Sequence, residues 1–268
     1  MGKRFKQEYW NSLDKIAQFT VSAGLSAFED ASLNFTPENA SEVAVVLASQ
    51  WQEHNSQSQP AETLAGLLGI TGKVLQLNAH SAGGVIAISE AAEMIRRGDA
   101  LVAFAGGAED PINSSTLSFY ENNTDLSVNN ETPTEASRPL DLNRDGFVLA
   151  EGAAIIVLED LEVAQTRGAN ILAELEGSSY SFSPGVSGIP KLSVSQIARS
   201  IQAAVEKSGR IRSEIDVVYM HASGSPEEDI LEAKGDYEQI KRLVDDAMNA
   251  GTERNIGHEY IEHVEDRY

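Results

Sequence analysis

The sequence predicts an α/β fold, and three observations carry the prediction. Apolar runs of strand length, at 43–48 and 101–105, are bounded by polar or glycine-bearing turns. Stretches with helical apolar spacing alternate with those runs. Residues 73–105 read strand, tight turn, helix, strand, which is a βαβ-type unit with a serine where the helix begins.

Each element has its own reason. Ile16, Phe19, Ala23 and Ala27 recur at helical spacing, so 10–29 is expected to be an amphipathic helix. Residues 43–48 form a buried strand, 51–60 a polar loop, and 61–69 a second helix ended by Gly69 and Gly72. The strand 73–79 meets the turn 80–84, followed by a helix to about Arg97. Gly98-Asp99 then separates that helix from the strand at 101–105. Residues 110–137, rich in Asn, Ser and Thr, read as a long loop of the kind that usually has a function. Two strands, 146–150 and 153–158, are expected to form a hairpin about Glu151-Gly152, with a further strand at 171–176 and a loop at 177–190. Ser193 with Gln196 predicts a capping box for a helix carrying Val194, Ile197, Ile201 and Val205. Residues 217–220 are a last buried strand delivering His221, and the chain from Glu227 onward is acidic and helical.

Composition narrows the function. The 268 residues, 41% hydrophobic, suit one compact domain or two tightly fused halves. No apolar run reaches the length of a membrane span, and the basic N-terminus lacks the apolar core of a signal peptide. Cysteine is absent, which removes disulfides, thiolate metal sites and a thiol nucleophile, and fits the cytosol. No metal and no cofactor is expected. A net charge of −21 argues against nucleic acid and anionic membranes as partners.

Ser81 is the first candidate for chemistry. A serine at a strand-to-helix turn exposes its hydroxyl at the end of a sheet, beside the free N–H groups of the first helical turn. Gly83 and Gly84 would then clear a substrate's approach. The plain alternative is an N-capping serine with glycines for helix–strand packing. The hexapeptide Ala79-His80-Ser81-Ala82-Gly83-Gly84 fits two catalytic turns: the nucleophile elbow of α/β-hydrolases with alanine first, or a condensing-enzyme turn with serine in place of cysteine.

Further blocks favour the second. Gly98-Asp99-Ala100 is followed by Ala105-Gly106-Gly107-Ala108-Glu109; then come Ser137-Arg138-Pro139-Leu140-Asp141 and the run from Arg144-Asp145-Gly146-Phe147 to Glu151-Gly152-Ala153. AQTRGA at 164–169 and ILAELEG continue the pattern, and His221-Ala222-Ser223-Gly224-Ser225-Pro226, with Asp229 and Glu232, resembles the motif H-G-T-x-T-P. Over roughly 12–235 the chain resembles the β-ketoacyl synthase (condensing enzyme) family. A hydrolase gives no reason for the central block, and no H-G-G-G-type loop precedes Ser81.

The resemblance implies a thiolase-like layered αβαβα fold of two related halves, 1–165 with the nucleophile turn and 166–268 with the histidine motif and an acidic tail. It implies acyl transfer from an acyl carrier protein or coenzyme A thioester in fatty acid or polyketide-type synthesis, usually by a dimer. In that family two histidines promote decarboxylation of a malonyl thioester and stabilise the enolate. By motif, Ser81 stands at the nucleophile, His221 at the first histidine and His258 at the second, while Asp229 and Glu232 support the histidine loop. Glu253 falls near the family's lysine, a reversed charge. Carrier proteins are acidic, so contact with one needs a local basic patch; Arg96-Arg97 and Lys241-Arg242 are candidate pairs, with solvated helix faces as the plain alternative.

Serine is the main departure. A thiol titrates near about 8.5 and a helix N-terminus can bring it into range. An alcohol lies several units higher at about 1.4 kcal/mol each, while a helix end supplies at most ~2 kcal/mol. Ser81 therefore needs a general base, and His221 is the expected one. The family's first strand and closing glycine-rich loop are also expected to be missing, leaving the fold incomplete at both ends and sheet edges for a partner chain to complete. Three readings follow: an acyltransferase using Ser81 and His221; a catalytically weak partner subunit like a chain-length factor, paired with a true ketosynthase; and a serine esterase of α/β-hydrolase type.

Overall fold

β1 (Val43–Ala48) is buried along its whole length, as the unbroken apolar run VAVVLA requires of a central parallel strand. In the computed structural model it lies between β2 (Val74–Leu77) and β3 (Val102–Glu109), parallel to both, and β4 (Gly152–Glu159) closes the order β2-β1-β3-β4 antiparallel to β3. The structure describes residues 7–50, 59–123, 126–183, 192–211 and 214–235. They belong to two compact units, one within Met1–Thr124 and Val148–Leu175, the other within Asp125–Phe147 and Glu176–Tyr268.

The first unit is a helix–sheet–helix sandwich. Strand side chains alternate between faces, so Val43, Val45 and Leu47 meet Ala61, Leu64 and Ala65 of α3 (Pro60–Leu68), with Ala27 and Phe28 of α2 (Lys15–Asp30) packed against them. Ala44, Val46 and Ala48 face Ala87, Ala91 and Met94 of α4 (Gly83–Arg96) on the other side. Small residues on that second face let α4 approach the sheet closely.

Several local expectations are corrected. The helix expected at 10–29 is two, α1 (Gln7–Ser12) and α2, because Asp14 N-caps α2 and its carboxylate accepts from the Ala17 amide at 3.0 Å. The loop expected at 110–137 contains α5 (Ser114–Asn123). No hairpin forms about Glu151-Gly152: β4 pairs with β3, whereas 146–150 holds only the single bridge Phe147↔Leu126 in the second unit. Of the expected loops, 51–58 and 184–191 lie outside the described residues.

The expected strand 171–176, almost all of it in the first unit, and the expected strand 217–220, in the second, have no ladder partner among the described residues and are irregular. An apolar, β-branched run states a preference, and without a neighbouring strand the preference is not realised. Tyr219 is accordingly 93% exposed. α7 (Val194–Ser208) forms as expected, but its capping box does not: Ser193 makes no cap hydrogen bond and its hydroxyl sits 3.0 Å from that of Ser195. α6 (Leu161–Thr166) follows β4 in the first unit. A last described helix covers 226–235, and Gly235 lets it close on α7, since a Cβ there would lie 2.6 Å from Ile197 Cγ2.

Candidate active site

β1 and β2 end level, with Ala48 opposite both Leu77 and Gly107, and β3 runs two residues further to Glu109. The chain leaves β2 through a single 3-10 turn, His80–Ala82, and enters α4. Ser81 is exposed in that turn, and its hydroxyl has no partner among the described residues. It does not cap α4: the capping position is Ala82, without a side-chain bond. The Gly83 amide donates to the His80 carbonyl instead.

The packing at Gly83 fits the plain alternative, a glycine that lets helix and strand meet. A Cβ on Gly83 would stand 2.8 Å from Ala48 Cβ, and one on Gly107 would stand 3.2 Å from Ala48 O and 3.6 Å from Gly84 Cα. Gly106 lies against Ala154 of β4, while Gly83 and Gly107 let the start of α4 sit directly on the ends of β1 and β3. That contact fixes where the serine turn stands relative to the sheet.

Side chains gather around the turn that sequence reasoning did not single out. Gln50 Nε2 lies 2.9 Å from His80 Nδ1, and the Gln50 amide donates to Glu109 Oε1 at 2.7 Å. His80 has a φ of +50°, an uncommon conformation for a residue with a Cβ. At the end of β3, Lys15 pairs with Asp110 at 3.0 Å and with Glu151, and these bonds, Glu151's first, hold its ammonium pKa above the usual lysine value. Seeing Gln50 beside His80 requires the register of β1 on β2, which no local pattern reveals.

In the second unit His221 sits in an irregular loop held by carboxylates. The His221 and Ala222 amides donate to the two oxygens of Glu232 at 2.6 and 2.8 Å. The Gly224 amide donates to Asp229 Oδ1 at 3.0 Å, and the Leu140 amide to Oδ2 at 2.9 Å. Arg144 Nε lies 3.1 Å from Asp229 Oδ2 in an ion pair bent away from hydrogen-bond geometry, with the two side chains 7% and 1% exposed. The same guanidinium donates to the carbonyls of Asp141 and Pro226 at 2.8 and 3.0 Å. The arginine-bearing block and the histidine loop are thus one network within this unit, built on the buried pair Arg144–Asp229. The Ser127 hydroxyl, then the Val128 amide and Arg138, hold the Asp145 carboxyl below the usual carboxylate range.

Ser81 and His221 are therefore described each in its own unit, and His258 lies outside the described residues, as do Glu253, Lys241 and Arg242. No cluster of metal-ligating side chains and no helix long and apolar enough to cross a membrane occurs among the described residues. A cleft of roughly 300 Å³ opens at the opposite ends of the strands, near Phe35, Val43, Val102 and Arg167, away from the serine turn.

Comparison with known proteins matches both parts of the chain. The model of the β-ketoacyl synthase N-terminal domain matches residues 3–164, and that of the C-terminal domain residues 172–261. A 3-oxoacyl-[acyl-carrier-protein] synthase 2 of Vibrio cholerae is 32% identical over 260 residues, covering 88% of this chain and 62% of that protein. The chain spans about three fifths of the length of the curated relatives it matches first. A crystal structure of a β-ketoacyl synthase from Burkholderia phymatum superposes with a TM-score of 0.78 at 24% identity, over 87% of this chain and 63% of that one. That likeness speaks for the fold, and it is the thiolase-like ketosynthase fold the motifs led to expect. A type II polyketide acyl carrier protein in complex with its ketosynthase gives a TM-score of 0.73 at 25% identity, over 87% and 64% of the two chains. With both domains of the family matched in order, and Ser81 and His221 each inside its matched domain, this chain belongs to the β-ketoacyl synthase family.

Proposed function

We propose that the chain is a β-ketoacyl synthase-type acyltransferase acting on acyl thioesters carried by an acyl carrier protein, in fatty acid or polyketide-type synthesis. The observation that carries this reading is the turn at 80–82, an exposed serine between a sheet strand and the start of a buried helix, inside the matched N-terminal domain. Residues 1–165 serve as the half with the nucleophile and 166–268 as the half with the histidine motif.

Ser81 Oγ attacks the acyl carbonyl carbon while its proton passes to the His221 imidazole. The tetrahedral oxyanion is held by amides at the start of α4, and collapse expels the carrier thiol, reprotonated by the imidazolium. An acyl ester on Ser81 remains. Loss of carbon dioxide from a malonyl thioester gives an enolate, whose carbanion attacks that ester and forms the new carbon–carbon bond. Collapse breaks the ester bond to Ser81 Oγ, and the departing alkoxide takes a solvent proton relayed by the His221 imidazole. His221, with His258 as second imidazole, supports the enolate oxygen. A positioned base of this kind is worth about 10²–10⁴-fold. Reaction partners are acyl and malonyl carrier proteins, in a homodimer or a heterodimer with a ketosynthase. A cytosolic setting accords with a chain that contains no cysteine.

Ser81 itself favours a second reading, a chain-length-factor-like subunit beside a cysteine-bearing ketosynthase. The test is condensation: the purified chain, given an acyl and a malonyl carrier thioester, forms a β-ketoacyl product and carbon dioxide, and Ser81→Ala abolishes both. No product from the chain alone, with product appearing only alongside a cysteine-bearing ketosynthase regardless of Ser81→Ala, supports the subunit reading instead.

A further inference from the structure

His80 stands in the one conformation at the serine turn that a side chain makes costly. A left-handed backbone is costly for an L-residue and not for glycine, and strain of this sort persists where surrounding contacts over-determine it. His80 has φ +50° and is followed directly by Ser81. Its side chain is exposed, so burial does not hold it.

One contact does. Gln50 Nε2 is 2.9 Å from His80 Nδ1. An amide nitrogen donates only, so Nδ1 accepts, and the ring proton of the neutral imidazole is confined to Nε2. Gln50 is in turn anchored through its own amide to Glu109 Oε1 at 2.7 Å. Gln50 follows β1, His80 follows β2 and Glu109 ends β3, so the chain of bonds crosses the carboxyl ends of three adjacent strands.

We propose that the Glu109–Gln50–His80 chain is a positioning device that locks the left-handed backbone at residue 80, and through it the direction in which Ser81 is presented. The device acts on Ser81 through the backbone. His80 is a positioning residue, distinct from the base assigned to His221. Its importance for reaction rests on the proposed role of Ser81, but the lock exists or fails independently of any activity.

The test separates the two. In the full-length chain, ¹⁵N NMR of the imidazoles shows His80 as the Nε2–H tautomer, and Gln50→Ala relaxes it to a mixture. Amide hydrogen exchange across 79–84 rises about fivefold in Gln50→Ala and His80→Ala, the loss expected for one hydrogen bond, with the later turns of α4 unchanged. His80→Gly, which removes the backbone penalty but not the missing bond, stays fast. His80→Asn, which tolerates positive φ and offers an amide oxygen to Gln50, returns to the original rate. A His80 ring protonated on Nδ1, or exchange at 79–84 indifferent to Gln50→Ala, overturns the lock. Acylation of Ser81 by a carrier thioester, followed in the same variants, should fall in step with exchange. A wild-type chain that is never acylated refutes the catalytic reading of Ser81, while the tautomer and exchange results still decide the lock.

Discussion

The serine turn and the histidine loop carry the two groups proposed to react, yet they are held by opposite means. The turn at 80–84 is fixed by close backbone contact, glycine on alanine and glycine on glycine, with one exposed side-chain chain of bonds across three strand ends. The loop at 221–226 belongs to no strand among the described residues. It is fixed by carboxylates that collect backbone amides, Glu232 for residues 221 and 222 and the buried Asp229 for Gly224 and Leu140. A sheet can position a residue by sterics alone. An irregular loop needs charge, and the buried charge then needs a counterion, which Arg144 supplies.

The contrast is sharpest at Asp229. Asp229→Ala leaves the Arg144 guanidinium buried without its counterion and is expected to cost about 3–5 kcal/mol. Denaturant unfolding should show this loss together with changed amide resonances at 140 and 221–224. A loss under about 1 kcal/mol would mean the loop is held otherwise. On the other side of the comparison, Gly83→Ala forces a Cβ to 2.8 Å from Ala48 Cβ. Overpacking of this kind costs roughly 1–3 kcal/mol, and Ala48→Gly in the same chain should recover part of it; additive losses would show that the two residues are not in contact. A smaller effect is expected at Ala222, whose φ is +46°. Ala222→Gly relieves that strain against a gain in unfolded-chain entropy, leaving a net change of about 0.5 kcal/mol in favour of the fold.

The smallest effect is one of pH. The Asp145 carboxyl titrates below its ordinary value of 3.8, chiefly through the Ser127 hydroxyl. A depressed carboxyl contributes stability that is present above the unfolded value and is lost as pH falls through the folded one. Acid unfolding below about pH 4 should therefore start at higher pH in Asp145→Asn than in the wild type. Coincident acid transitions would show that the bond contributes nothing.

How much of this was legible follows the same divide. β1, α3, α4 and the serine turn could be read directly, because buried parallel strands and the helices that cover them carry their own apolar patterns. The two layers of the first unit follow from alternate residues of a single six-residue strand. What patterns could not show is pairing. The run at 146–150 looks like a strand beside 153–158, but β3 takes the neighbouring place, and Val217 to Met220 find no ladder among the described residues. Within the site, Asp229 and Glu232 were legible as supports of the histidine loop from their place in the motif, whereas Arg144 as counterion and Gln50 as partner of His80 depend on contacts between residues 85 and 30 positions apart. Gly83 was visible, and helix–strand packing was one of its two readings; a Cβ there would strike Ala48.

The account depends most on Ser81 accepting an acyl group. Incubation of the full chain with an acyl carrier thioester, followed by proteolysis and mass spectrometry, should place one acyl ester on the peptide bearing Ser81, with none in Ser81→Ala and a rate about 10²-fold lower or more in His221→Ala. An unmodified Ser81 peptide, or an adduct that survives Ser81→Ala, would contradict it.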